Sequence, residues 1–170
     1  MSNPYPDALA LSSRILRVLI KLNLLVGAGI VALLVVSLIA KATVGVSPAL
    51  SSPKLFIGML LIMVIGICGV LVVRFVLKRL LMIVETVSTG DPFVAANAAR
   101  LQAIAWALLA LELMHYAVGA IAASVSSAAV PLNIGWGFSL TRWLTVLLLF
   151  VLARVFQQGA RMREELEGTV

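Results

Sequence analysis

The stretch LFIGMLLIMVIGICGVLVV, Leu55 to Val73, decides the fold. It has no charged or amide side chain, and Lys54 and Arg74 close its two ends. At about 1.5 Å per residue, a helix of this length reaches across about 30 Å of hydrocarbon. A water-soluble strand or helix of this length would show a polar face, and none is present here. Similar runs occur at residues 22–40, 101–125 and 138–156. In lipid the backbone must satisfy its own hydrogen bonds, so only helices or a closed barrel can cross. Barrel strands would alternate apolar and polar residues, and these runs do not. The expected fold is therefore all-α: a four-helix transmembrane bundle forming one integral-membrane domain over residues 1–170.

Composition agrees. Hydrophobic residues are 62% of the 170 and charged residues 12%, against about half and a quarter in a soluble domain. Mean hydropathy is +1.14. This excludes a soluble globular domain, a disordered chain and a disulfide scaffold. The lone Cys68 sits inside an apolar run and reads as a small buried hydrophobe. The polar first residues do not resemble a cleaved signal, so the first run is expected to remain as an anchor.

The net charge of +6 would suggest nucleic acid in a soluble protein. Here the basic residues flank the apolar runs, where they set orientation and meet lipid headgroups. Arg14, Arg17, Lys21, Arg74, Lys78, Arg79, Arg100, Arg154, Arg161 and Arg163 fall on one side. Lys41, Lys54 and Arg142 fall on the other. The positive-inside rule then predicts a multi-pass protein of the bacterial inner membrane with both termini cytoplasmic. Trp136 and Trp143 fit an outer aromatic belt. Helices 2 and 4 are expected to extend into the cytoplasm, over 74–87 and 154–166.

Turn chemistry separates the spans: Ser47-Pro48 and Ser52-Pro53, then Thr89-Gly90-Asp91-Pro92, then Pro131, Asn133 and Gly135. Asp91 is the expected N-cap of the third helix, with Pro92 at its first position. Small pairs suggest close helix approach: Ala28 with Ala32, Gly66 with Gly69, and Gly119 with Ala123.

The one polar constellation inside a span is Glu112, His115 and Tyr116. Glu112 and His115 are three residues apart and share a face. A carboxylate at membrane depth normally faces protein and has a partner. Three readings stand open. Glu112 bonds His115 or another helix as a structural pair; the pair answers to protons or cations; or it ligates metal. Di-iron bundles need two Glu-x-x-His motifs and two more carboxylates, and this chain has a single His. Arg142, near the outer end of the last span, is expected to snorkel to headgroups, or to meet Glu112 only if that residue lies closer to the outer leaflet than the span limits imply. Asn23 is expected to sit at the headgroup edge of the first span. No Walker loop, dinucleotide glycine pattern, CxxC, HExxH or Gly-x-Ser-x-Gly occurs. The chain is therefore expected to be non-enzymatic, with no catalytic residue, metal or cofactor.

Two segments carry a resemblance: Thr89-Gly90-Asp91-Pro92-Phe93 with Asn97-Ala98-Ala99-Arg100-Leu101, and Val155-Phe156-Gln157-Gln158-Gly159-Ala160-Arg161-Met162-Arg163-Glu164-Glu165 with the closing Gly168-Thr169-Val170. With four apolar spans, they resemble a bacterial inner-membrane family catalogued as domain of unknown function 2975. The resemblance implies a short four-span protein. Many members are encoded beside a small helix-turn-helix regulator, which implies a DNA-binding protein as partner and a membrane sensor or sequestering role. Docking would fall on Arg74, Lys78, Arg79, Arg161, Arg163, Glu164 and Glu165. The alternative is a homo-oligomeric proton- or cation-linked transporter or channel subunit that uses Glu112 and His115. Membrane lipids are partners on either reading, and direct nucleic-acid contact on neither.

Overall fold

The structure is a computed structural model that describes residues 5–43, 52–88, 93–126 and 137–167. It contains four helices: α1 (Tyr5–Thr43), α2 (Pro53–Ser88), α3 (Ala95–Val125) and α4 (Leu140–Glu167). Each is long and apolar enough to cross a membrane. Together they form an all-α membrane bundle. The expected turn residues Ser47, Pro48, Thr89, Gly90, Asp91, Pro92, Pro131, Asn133 and Gly135 lie outside the described residues, as do Trp136 and the closing 168–170.

The helices overrun the apolar runs. α2 has 36 residues, about 54 Å at 1.5 Å each, against about 30 Å of hydrocarbon. Nothing in its second half breaks the i to i−4 ladder. The basic segment 74–88 therefore continues the same helix, and α4 likewise continues through its charged end. α1 begins at Tyr5, well before the first apolar run.

α3 starts later than expected. Its N-cap is Val94, in an extended conformation and without a side-chain cap, so the helix does not begin at Pro92. The reason lies in packing. Phe93 is held against α4, its ring 5.3 Å from that of Phe156. A Cβ on Gly159 would stand 3.1 Å from the Phe93 ring. Phe93 occupies this glycine notch and keeps the chain extended until Ala95.

Packing is serial. α1 packs on α2, α2 on α3 and α3 on α4, and no other pair of helices packs among the described residues. The bundle is an open antiparallel row. Its outer edges leave large apolar side chains uncovered, among them Leu25 and Val36 of α1 and Leu147 and Leu148 of α4. In water that surface would drive aggregation, whereas in lipid it is the solvated face. The central core joins Val76 of α2 to Ile104 and Ala107 of α3.

Contacts at two glycines set the inter-helix distances. A Cβ on Gly27 would come within 2.8 Å of Val70 Cγ1, and one on Gly58 within 2.7 Å of Val125 Cγ1. Glycine lets these backbones approach closely enough for dispersion to hold them, since lipid supplies no hydrophobic drive. Beside the first contact, Asn23 Nδ2 donates to the Val70 carbonyl at 3.0 Å. Asn23 is thus a bond between α1 and α2, not a headgroup contact. Of the expected small pairs, Ala28, Ala32 and Ala123 are exposed. Gly66 and Gly69 have only ordinary contacts, with Ile30 and Leu111.

Where α2 ends and α3 begins, Arg100 Nη1 donates to Thr86 Oγ1 at 2.7 Å and to Asn97 Oδ1 at 2.8 Å. Asn97 is fully buried. A buried amide without partners would cost about 1–3 kcal/mol, and this bond answers part of that demand. It also fixes α3 against α2 at the same end as the Phe93 wedge.

Candidate functional site

Along α3, the buried positions Ala98, Ala105, Glu112 and Gly119 recur every seven residues. Along α4, Val146, Ala153 and Ala160 do the same. Seven-residue spacing keeps one stripe on one face of a helix, and two such stripes can pack along their whole length. Small side chains in both stripes let α3 and α4 approach closely. Glu112 is the single charged member of the α3 stripe, so folding places its carboxylate in the seam.

The α3–α4 register decides its partner. Trp106 meets Phe150 edge to face at 5.1 Å, and Trp143 Nε1 donates to the Tyr116 hydroxyl at 3.2 Å. The first turn of α4 therefore stands beside Tyr116, nine residues short of the end of α3, or about 14 Å. Arg142 lies four residues before the seam residue Val146 and so shares its face. Its Nε comes to 3.5 Å from Glu112 Oε1.

This corrects the expectation that Arg142 snorkels outward. α4 begins deep in the row instead of level with α3, and the guanidinium turns onto the carboxylate. The Glu112 side chain is 12% exposed and that of Arg142 36%. The separation makes this an ion pair rather than a tight charge-assisted hydrogen bond. Arg142 Nη2 also donates to the Gly137 carbonyl at 3.0 Å, tying the segment before α4 to the same cation.

The Tyr116 hydroxyl accepts from Trp143 and so joins α3 to the first turn of α4. Trp143 stacks on Phe138 at 6.4 Å and is half-buried. His115 lies 6.1 Å from the Tyr116 ring, measured between centroids. Its Nε2 and Glu112 Oε2 are buried with no hydrogen-bond partner. The expected triad is therefore assembled unevenly: Glu112 and Tyr116 each hold a group of α4, while His115 stands beside them. Among the described residues, no three His, Cys, Asp or Glu side chains cluster in a way that could hold a metal ion.

The expected docking residues divide into two groups. Lys78 is exposed, and Arg79 lies over the Phe75 ring at 4.5 Å. Arg161, Arg163, Glu164 and Glu165 are exposed on the last turns of α4. α2 and α4 do not pack together among the described residues, and α3 stands between them. Arg17 of α1 reaches Glu85 of α2 at 3.6 Å across an exposed surface. An exposed pair of this kind contributes little.

Sequence reasoning offered Arg142 as a partner of Glu112 only as the alternative to snorkelling, and it missed the Gly159 notch. The spacing of 146, 153 and 160 against 98, 105, 112 and 119 carried the signal for the seam.

The buried small-residue seam, the Phe93 wedge and the charged α4 end lie within a region that matches one family, described as a protein of unknown function (DUF2975), over residues 38–170. The chain belongs to DUF2975. No curated protein and no solved structure matches it. The DUF2975 match takes in the end of α1 and all of α2, α3 and α4, and therefore the whole Glu112–Arg142 site.

Proposed function

We propose that this DUF2975 protein is a non-enzymatic regulatory protein of the bacterial inner membrane. Its cytoplasmic face docks a cytosolic helix-turn-helix DNA-binding protein. One observation carries the reading: α4 is a single helix that holds an ion pair at one end and an exposed charged surface at the other. Arg142 in its first turn grips Glu112, and Arg161, Arg163, Glu164 and Glu165 stand exposed in its last turns. A change at the buried pair would shift α4 along the small-residue seam and move the docking surface with it. Lys78 with Arg74 and Arg79 on α2 forms a second, separate docking surface. The ten-to-three bias in basic residues supports a cytoplasmic position for both termini.

The test is quantitative co-purification from native membranes at native expression, with the helix-turn-helix regulator identified in the eluate by mass spectrometry. The combined Arg161→Glu and Arg163→Glu change should reduce recovery of the regulator by about tenfold or more, since like charge across a docking surface costs several kcal/mol. Absence of the regulator from the wild-type complex would end this reading.

A second reading rests on the two unpartnered buried atoms, Glu112 Oε2 and His115 Nε2, about one turn apart. In an assembly of several copies they would line a proton or cation path. Flux into liposomes carrying the wild-type chain, abolished by Glu112→Gln, is the expected result on this reading. No flux from the wild type removes it.

A further inference from the structure

Beyond the docking face, the α3–α4 seam opens at its charged end into a trough of about 410 Å³. Its cause is the seam itself. Where Ala98, Ala153 and Ala160 face one another, short side chains leave the long neighbours standing as walls. Polarity changes along it in order. Arg161 and Glu164 stand at the end nearest the C-terminus, then Gln157, Arg154 and Gln102, and at the deep end the Trp106–Phe150 pair. Trp106 is also a wall of a shallower apolar groove of about 570 Å³ between α2 and α3, lined by Leu71, Phe75 and Ala103 among others. The two hollows meet at that indole.

We infer that this continuous surface is a binding site for an anionic glycerophospholipid. Its phosphate sits at Arg154 and Arg161, and an acyl chain runs over Trp106 into the α2–α3 groove. The order of charged, amide and aromatic walls is the order of phosphate, glycerol ester and hydrocarbon in a bilayer. Arg154 and Arg161 are seven residues apart, two turns along one face and about 10.5 Å along the axis. Their guanidiniums present planar forks suited to phosphate oxygens. Gln157 lies between them, its Oε1 accepting from Arg154 Nη1 at 3.3 Å, and its amide N–H groups suit an ester or phosphate oxygen. Glu164 opposes an anion at the outer end. Within the trough two cations face one carboxylate, while Glu165 borders a separate hollow on the other side of the two arginines, so the trough keeps a positive balance that selects an anionic headgroup over a zwitterionic one. A phospholipid is the occupant because the deep half of the surface is apolar and open sideways, which a free phosphate would leave uncovered. Arg161 belongs to both this site and the proposed docking face, but the lipid site stands without the partner.

The test uses the full chain in phosphatidylcholine vesicles doped with a minor fraction of lipid brominated on its acyl chains. Trp106 fluorescence is read as the difference between wild type and Trp106→Phe. Brominated phosphatidylglycerol should quench it more effectively than brominated phosphatidylcholine at equal fraction, by about fivefold in apparent affinity for each arginine. Arg154→Gln with Arg161→Gln should bring the two lipids level. Ala99→Leu, which narrows the trough without changing charge, should reduce quenching by both. In native mass spectrometry, the wild-type chain should retain phosphatidylglycerol and shed phosphatidylcholine. Equal quenching and equal retention of the two lipids by wild type would overturn the inference, whether bulk lipid or a second copy of the chain covers the trough.

Discussion

Arg142→Met should lower the stability of the folded bundle by about 2–4 kcal/mol, the largest effect expected of any single polar substitution in this chain. The physical reason is asymmetric. Glu112 is 9% exposed and sits in the α3 stripe, where it cannot turn outward to reach water. Removing the guanidinium leaves a carboxylate in a low-dielectric seam with neither oxygen paired. Glu112→Gln is milder, because a neutral amide costs less to bury and Arg142 keeps its bond to the Gly137 carbonyl. The combined Glu112→Gln and Arg142→Met change should recover much of what the single Arg142→Met loses, since no unpaired charge remains. Arg142 is about a third exposed, which holds the estimate below that for a fully buried pair. Thermal or denaturant unfolding in a mild detergent, read as a double-mutant cycle, measures this. A double change whose loss equals the sum of the two single losses would show that the pair contributes nothing.

The second large effect is expected at Gly27. Gly27→Ala puts a methyl where Val70 Cγ1 already stands, 2.8 Å away. That atom is held close to the backbone and cannot swing aside. The helices must separate, at a cost of about 1–3 kcal/mol. The loss includes the Asn23 bond to the Val70 carbonyl, which needs the same close approach. Because α1 packs on α2 alone among the described residues, no other contact compensates. Val70→Ala opens the space, so the double variant should lose less than the sum of the two single changes. Thermal midpoints in detergent for the four proteins decide it. Strict additivity would mean that Gly27 does not set the α1–α2 distance.

Much of the fold is legible along the chain because lipid imposes a one-dimensional rule. An apolar run of membrane length must be a helix, and Leu55 to Val73 obeys it without exception. The seam is legible too, although only when α3 and α4 are compared. The recurrence of 98, 105, 112 and 119 means little until 146, 153 and 160 repeat it. The Val94 cap is not legible. Asp91-Pro92 has the chemistry of a helix start, but Phe93 fits the Gly159 notch, a contact some 65 residues away in sequence. Asn23 was misplaced for a related reason, and of the small-residue pairs only Gly119 falls in a buried seam. Composition marks residues that permit close approach, and only the facing helix selects Gly27, Gly58 and Gly159 from among them.

For the candidate site, sequence supplies the members and structure supplies the pairing. Glu112, His115 and Tyr116 stand out because polar groups are expensive inside an apolar run. Their spacing puts them on one face of one helix and goes no further.

From the chain alone came four membrane-length helices, a charge bias gathered toward one end, and a lone carboxylate in the third helix. All of these follow from local composition and from hydrogen-bond demand in lipid. Only the tertiary structure decided that the helices form an open row, and that Trp143 in the first turn of α4 stands beside Tyr116, short of the end of α3. This stagger brings Arg142 onto Glu112 and not to the headgroups. It depends on how side chains from distant segments interlock, and no local property of either helix specifies that.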